Sequence, residues 1–199
     1  MTNSLRKTAW LLLFLLLPLQ SIAFDKAVMD RLAALPGISK VEPLESEAYQ
    51  DKYVMFIKQQ VAHDDASVGT FDQRLIVCHV GFDRPTILVT EGYYAHYALR
   101  KGYQEELSKI LNANVITVEY RYFAESVPQP CNWDYLTVEN SLYDLHNVNM
   151  TFRQAYKGKW IASGISKGGQ TTMFYRAFFP DDVDVSVPYV APLNKSTED

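Results

Sequence analysis

The sequence contains a serine between two glycines in a setting that suits nucleophilic chemistry. Ser166 is the centre of Gly164-Ile165-Ser166-Lys167-Gly168, which directly follows an apolar run at 160–163 and directly precedes a predicted helix that ends near Phe178. At such a strand-to-helix junction, a G-x-S-x-G sequence turns sharply and lifts the serine hydroxyl out of the sheet. The pattern therefore predicts that Ser166 is the nucleophile of an acyl-transfer reaction. The alternative is a tight turn in which the serine is buried or only caps the helix.

Two backbone amides are expected to stabilise the negative charge that develops on the attacked group. The amide of Lys167 begins the predicted helix, where N–H groups are unpaired and the helix dipole is positive, so it is the first expected donor. The second donor is expected from the loop after the strand Thr86–Thr90, because parallel strands end at the same edge of a sheet. Gly92 lets that backbone approach a ligand, which makes the amide of Tyr93 the candidate, unless Gly92 only serves the turn. The side chain of Lys167 is expected to be exposed and without a role.

Two glutamates also follow predicted strands of this edge. Glu91 precedes Gly92, and Glu119 follows the apolar run at 115–118. Either carboxylate could bind the amino terminus of a substrate. Equally, Glu119 could form a structural ion pair with Arg121 that fixes the loop.

A serine nucleophile needs a general base, and no histidine of this sequence is in the expected place. In the α/β-hydrolase order, the acid and the histidine follow the serine. All four histidines precede Ser166, namely His63, His79, His96 and His146. Asp181, Asp182 and Asp184 follow the serine, but they precede a strand and are expected to be solvated turn residues at the opposite edge. We therefore expect residues 24–199 to be an incomplete catalytic domain, inactive without further sequence.

Alternating types of sequence pattern predict how the sheet is built. Residues 53–61 and 71–80 are rich in β-forming residues and predict an antiparallel hairpin at the start of the sheet. The apolar runs Thr86–Thr90 and 115–118 are typical of strands covered on both faces, and residues 103–111 between them predict a crossover helix.

The second half continues this alternation of strands and helices. Apolar residues recur at helical spacing over 137–156, a strand and the serine turn follow, and residues 183–190 predict a further buried strand. The fold class is therefore α/β, and specifically the N-terminal part of an α/β-hydrolase fold. It has a mostly parallel sheet, helices on both faces and an opening antiparallel hairpin, and it stops after about the sixth strand.

The first 23 residues have the composition of an export signal. Arg6 and Lys7 precede the apolar stretch 10–17, and Ser21-Ile22-Ala23 provides a small-residue cleavage site. The alternative of a membrane anchor is disfavoured, because the apolar stretch ends at Pro18 and falls short of the roughly 20 residues that span a bilayer. We therefore expect a secreted or periplasmic protein with no membrane association after cleavage.

Composition excludes several other classes of partner. A net charge of -4 without Lys/Arg runs argues against a nucleic-acid partner. The only two cysteines, Cys78 and Cys131, could pair in an oxidising compartment, but we favour two free thiols. No metal-ligand cluster or phosphate-binding loop is evident, so we expect no cofactor and no metal.

A wider set of segments resembles a known family. The serine motif extends to Gly169 and is preceded by Lys159-Trp160-Ile161. The other matching segments are 82–86, Glu91-Gly92-Tyr93, 119–123, 180–185 and 189–194. Together they resemble the secreted prolyl tri- and tetrapeptidyl aminopeptidases over nearly the whole sequence after residue 23.

This resemblance implies an α/β-hydrolase serine peptidase that releases short peptides from a free N-terminus by cleaving after proline. Ser166 matches the nucleophile position of that family, whose acid and histidine lie in later sequence. Proline specificity is implied by the resemblance alone. Two other functions remain open: a secreted esterase or lipase with the same serine turn, and a protein that binds peptides without cleaving them.

Overall fold

The computed structural model describes residues 24–193, in which seven strands form one sheet with helices on both faces. The strands are β1 Ile38–Pro43, β2 Asp51–Gln60, β3 Thr70–His79, β4 Thr86–Thr90, β5 Asn114–Val118, β6 Trp160–Ile165 and β7 Val185–Tyr189. The helices are α1 Lys26–Ala33, α2 His96–Leu99, α3 Glu106–Leu111, α4 Val138–Phe152 and α5 Lys167–Phe178. The predicted export signal at residues 1–23 lies outside the described residues.

The strand order is β1-β2-β3-β5-β4-β6-β7. The predicted hairpin of β2 and β3 is confirmed, and β5, β4, β6 and β7 form a parallel segment. The sequence patterns missed β1 and α1. The additional strand β1 is antiparallel to β2, so antiparallel and parallel neighbours are equally frequent in the sheet. Strand β1 is short, has no fully buried residue and ends in a proline, as expected of an edge strand.

Alternate residues of each central strand pack into separate cores on the two faces of the sheet. Leu88 of β4 faces the large core, which contains residues of α1, α4 and α5. Its neighbours Ile87 and Val89 face the opposite side, where Leu107 of α3 packs against a second core. This arrangement confirms the prediction, made from the continuous apolar runs, that these strands are covered on both faces.

Helix ends differ from the predicted ones where side chains cap the backbone. The helix expected over 103–111 begins at Glu106, because the Glu105 carboxylate accepts a hydrogen bond from the Ser108 amide. The helix expected over 137–156 begins at Val138, after Thr137, whose hydroxyl accepts from the Asn140 amide, and ends at Phe152.

The topology brings the predicted site residues to one edge. Strand β4 lies between β5 and β6 and is parallel to both, so the three strands end at the same edge, here called the carboxyl edge. Ligands of open α/β sheets bind at such an edge, where the order of the strands changes direction. The loops after Thr90 and Val118 and the turn after Ile165 all lie there.

Candidate active site

Ser166 occupies a strained turn between β6 and α5. Its backbone has φ 55° and ψ −119°, a conformation that is costly for a residue with a Cβ and persists only when neighbouring structure enforces it. The Ser166 amide donates to the Tyr189 carbonyl at 3.0 Å, and the Gln170 amide donates to the Ser166 carbonyl at 2.9 Å. The residue is exposed, and its side chain makes no capping hydrogen bond within residues 24–193. The alternative of a buried or merely capping serine is therefore wrong.

Close backbone contacts require glycine on both sides of Ser166. A Cβ at Gly164 would lie 2.6 Å from the Thr90 carbonyl oxygen, and one at Gly168 would also collide with that oxygen. Strand β6, helix α5 and the end of β4 therefore approach more closely than any side chain allows.

A buried hydroxyl pair, which the sequence patterns did not single out, fixes this contact. Thr90 Oγ1 donates to the Gly168 carbonyl at 2.8 Å and lies 2.7 Å from Thr172 Oγ1. Both threonines are fully buried. In the sequence, the only sign of this contact is Thr90, a polar residue that ends β4 directly after the apolar residues 87–89.

The two predicted oxyanion donors belong to segments that contact each other. Lys167 is the first residue of α5, so its amide has no acceptor within the helix. A Cβ at Gly92 would lie 2.5 Å from Lys167 Cγ, which shows that the loop after β4 packs directly against the start of α5. The Tyr93 carbonyl accepts from the Tyr120 amide at 3.0 Å, whereas the Tyr93 amide donates no backbone hydrogen bond within the described residues.

The side chain of Lys167 is partly buried, and the prediction of an exposed lysine is wrong. Its ammonium nitrogen lies 4.7 Å from the ring centroids of Tyr93 and Tyr120 and 5.8 Å from that of Phe123. Desolvation lowers the pKa of Lys167. The sequence patterns missed this contact, because the three rings come from two loops that are distant from Lys167 along the chain.

Glu91 lies at a cavity beside the serine turn. The cavity has a volume of about 530 Å³, and its lining includes Gly164 and Ile165 of the turn and Glu105 and Glu106 of the α3 start. The Glu91 carboxylate accepts a hydrogen bond from the Tyr97 hydroxyl. Burial raises the pKa of Glu91 to about 7, with a smaller contribution from the charge of Glu119, while the hydrogen bond opposes the rise.

Glu119 lies beneath the site and does not border that cavity. It is 0% exposed, and it forms an ion pair with Arg74. Its oxygens also accept from the Ala95 amide at 3.2 Å, from the Glu125 amide at 3.1 Å and from the Ser126 hydroxyl at 3.0 Å. Glu119 therefore cannot reach a substrate in this arrangement, which corrects the expectation that it binds an amino terminus. The alternative ion pair with Arg121 is also wrong, because the partner is Arg74.

Arg121 instead belongs to a second buried network. It donates to both oxygens of Asp144 at 2.7 Å, and His63 Nε2 lies 2.8 Å from Asp144 Oδ1. This His63–Asp144 pair resembles part of a catalytic triad, but it joins the end of β2 to α4. Strand β2 is separated from β6 by four strand spacings, or roughly 19 Å. The pair therefore lies too far from Ser166 to act as its base, and its role is structural.

The other histidines have partners away from the serine. His79 Nδ1 lies 3.1 Å from the Tyr156 hydroxyl, and His146 Nδ1 lies 2.7 Å from Asp182 Oδ2. His96 is exposed and packs against the ring of Tyr94. Asp182 lies in the turn before β7, as predicted, but it is buried, which corrects the expectation that it is solvated. Within residues 24–193, no histidine is hydrogen-bonded to Ser166.

The two cysteines are unpaired. Cys78 is buried in β3, where burial raises the pKa of its thiol to about 12, and Cys131 is exposed in the loop before α4. The prediction of two free thiols is confirmed.

The strained serine turn and the order of the sheet together define the class of protein. A strained serine between the end of a parallel strand and the start of a helix, at the carboxyl edge of a mixed sheet, is the arrangement typical of an α/β-hydrolase fold. The chain has this fold, and it represents the N-terminal part of it.

The chain belongs to the family described as PS-10 peptidase S37, whose model matches residues 23–199. It is 35% identical over 165 residues to the prolyl tri/tetrapeptidyl aminopeptidase of Streptomyces mobaraensis, covering 83% of this chain and 34% of that protein. It is 28% identical over 202 residues to the human lysosomal Pro-X carboxypeptidase, covering 92% of this chain and 40% of that protein. The chain thus spans little more than a third of the length of these relatives.

Solved structures with a similar arrangement include two enzymes. A Pyrobaculum calidifontis esterase matches with a TM-score of 0.43 and 19% identity, over 84% of this chain and 49% of the esterase. A post-proline cleaving enzyme from Rickettsia typhi matches with a TM-score of 0.47 and 9% identity, over 70% of this chain and 21% of that enzyme. Separately, none of the helices within residues 24–193 combines the length and apolar character needed to cross a bilayer.

Proposed function

We propose that the protein is an exported serine peptidase that releases short peptides from a free N-terminus by cleaving after proline. The observation that carries this proposal is the state of Ser166 at the carboxyl edge. Its backbone is strained, the residue is exposed, and its side chain makes no capping hydrogen bond. Membership of the S37 family and 35% identity to a protein named prolyl tri/tetrapeptidyl aminopeptidase support the choice of substrate.

In the proposed reaction, Ser166 Oγ attacks the carbonyl carbon of the proline residue while its proton passes to a general base. The amides of Lys167 and Tyr93 stabilise the oxyanion of the tetrahedral intermediate. The amine leaves with the proton, and water then hydrolyses the acyl-enzyme. No histidine of residues 24–193 is hydrogen-bonded to Ser166, so we propose that further sequence supplies the base and its acid, and residues 24–199 alone are expected to be inactive.

Glu91 supplies the proposed recognition of the substrate's amino terminus. It borders the cavity that adjoins Gly164 and Ile165, and the cavity wall also carries the carboxylates of Glu105 and Glu106. A positively charged amino group there would contact a carboxylate that has a single side-chain hydrogen bond from Tyr97 and retains capacity for a second donor. This arrangement favours peptides with an unblocked N-terminus over blocked ones. Nucleic acid and membrane are not proposed as partners.

The test is hydrolysis by the product of the complete gene. Chromogenic peptides that end in proline are compared in free and N-acetylated form, next to short-chain esters. We expect cleavage of the free peptides and little cleavage of the acetylated ones. The Ser166→Ala variant should lose about 10⁴- to 10⁶-fold in kcat, whereas Ser67→Ala, an exposed serine of the β2–β3 connection, should be unaffected.

A clear preference for esters would overturn the peptidase proposal and favour an esterase with the same nucleophile. Tight peptide binding without turnover, unchanged by Ser166→Ala, would instead favour a binding protein.

A further inference from the structure

The ammonium group of Lys167 lies in a cage of three aromatic rings. The rings of Tyr93, Tyr120 and Phe123 face its nitrogen, and they also contact one another: Tyr93 meets Phe123 edge to face at 5.4 Å, and Tyr120 lies 6.3 Å from Phe123. Tyr93 belongs to the loop after β4, and the other two belong to the loop after β5. One side chain from α5 therefore joins all three segments of the carboxyl edge.

The rings are the main partners of this cation. Within residues 24–193, no carboxylate lies within ion-pair distance of Lys167. Five exposed lysines, by contrast, each form an ion pair with a carboxylate. Attraction between a cation and aromatic faces is stronger when the cation is partly removed from water. The lowered pKa of Lys167 has desolvation as its cause and agrees with this location.

The stem of the same side chain lies against Gly92. A Cβ at Gly92 would be 2.5 Å from Lys167 Cγ and 2.7 Å from Lys167 Cβ and Cδ. The lysine stem therefore packs against the Cα of Gly92, the residue directly before Tyr93, whose amide nitrogen is the second proposed oxyanion donor. On the other side, the Tyr93 carbonyl accepts from the Tyr120 amide. Tyr93 is thus held by the stem, by the ring contact and by the main chain.

We propose that Lys167 is a positioning residue: its side chain, held by the rings of Tyr93, Tyr120 and Phe123, keeps the Tyr93 amide in place opposite Ser166. Lys167 supplies its own amide as the first donor and positions the second donor through its side chain, so one residue couples the two halves of the oxyanion site. This inference rests on the proposed function, because it assigns the Tyr93 amide to the oxyanion. It assigns no proton transfer to the ammonium group, which faces the rings.

Three lysine variants of the product of the complete gene separate charge from packing. Lys167→Met keeps an unbranched stem and removes the charge, and we expect kcat to fall by about 10- to 100-fold with little change in KM. Lys167→Arg retains a cation that stacks on aromatic rings and should recover most of the activity. Lys109→Met, on the exposed face of α3, is the matched control and should behave as wild type.

Two further measurements test the contact itself. Hydrogen exchange of the amides at 92–95 should accelerate in Lys167→Met and not in Lys109→Met, since the loop loses its anchor. Tyr93→Leu retains the amide and removes the ring, so the losses of kcat in Tyr93→Leu and Lys167→Met should be less than additive in the double variant.

The outcomes are distinguishable from failure of the proposed function. If the wild-type protein hydrolyses peptides and Lys167→Met matches Lys109→Met in kcat, the positioning role is overturned. If no form of the protein acylates Ser166, the proposed function fails and the oxyanion role fails with it. Exchange at 92–95 then tests the anchor separately: faster exchange in Lys167→Met supports the contact between Lys167 and the loop, and unchanged exchange overturns it.

Discussion

The ends of β4 and β5 carry the same residue type in the same position and use it differently. Glu91 directly follows β4, and Glu119 directly follows its parallel neighbour β5. Each oxygen of Glu119 accepts two hydrogen bonds, one of them within an ion pair to Arg74. Glu91 accepts from the Tyr97 hydroxyl and faces a cavity. The number of donors around a carboxylate, more than its place in the sheet, separates a structural glutamate from one that is available to a ligand.

The largest expected effect is on the free energy of unfolding of Glu119→Gln. This change removes the negative charge and leaves Arg74 buried without its partner, which should cost about 3–5 kcal/mol. Glu91→Gln is the matched control, because glutamine can still accept from the Tyr97 hydroxyl, and its stability at pH 7 should equal or slightly exceed that of wild type. Urea denaturation measures both.

Similar losses of stability in the two glutamine variants would contradict the contrast between Glu119 and Glu91. Adding Arg74→Met to Glu119→Gln should recover part of the loss, since the unpaired guanidinium is then removed as well. If Arg74→Met lowers the stability of Glu119→Gln by as much as it lowers that of the wild type, the two residues do not interact.

The sequence patterns located both glutamates but could not distinguish them. Strand ends follow from local apolar runs, and the Ser166 turn follows from five consecutive residues, so the edge and its nucleophile were predictable. The partner of Glu119 is 45 residues away, in a strand that reaches it only through an antiparallel pairing. Short-range periodicity carries no information on such a pair. The same reason explains why the expected partner, Arg121, was a close neighbour in sequence.

The contact between Lys167 and the three aromatic rings could not be predicted from sequence patterns, for a related reason. The motif fixes the backbone of Lys167, but the direction of its side chain depends on Gly92, whose missing Cβ leaves space for the lysine stem. From its sequence context, Gly92 is expected to let the backbone approach a ligand. In the structure, part of that space is taken by the protein's own side chain.

A smaller effect is expected on substrate binding by Glu91. With a free N-terminal peptide, Glu91→Gln should raise KM by about 10-fold and leave kcat nearly unchanged, because it removes a charge-assisted contact to the amino group. Since the carboxylate ionises with a pKa of about 7, the wild-type KM should fall as the pH rises through 7, and Glu91→Gln should lose this dependence.

Glu106→Gln is the control for the acidic cavity wall, because Glu106 lines the same cavity but is exposed. Its KM should change by less than that of Glu91→Gln. Equal changes in both variants would indicate attraction by the general negative charge of the cavity and not a contact with Glu91.

The smallest expected effect is on stability as a function of pH. The pKa of Glu91 is raised from 4.5 to about 7 in the folded protein, so the folded state favours the neutral carboxyl group. The stability linked to this group is therefore fully present below pH 4.5 and is lost as the pH rises through 7. Glutamine cannot ionise, and Glu91→Gln should gain about 1 kcal/mol over wild type between pH 4.5 and pH 8, less than the full pKa shift corresponds to, because Glu91 is only partly buried. Urea denaturation of both proteins at pH 5 and pH 8 measures this gain. A constant difference between them at the two pH values would mean that Glu91 is already well accommodated as an anion, like Glu119 beside Arg74, and the contrast between the two strand ends would not hold.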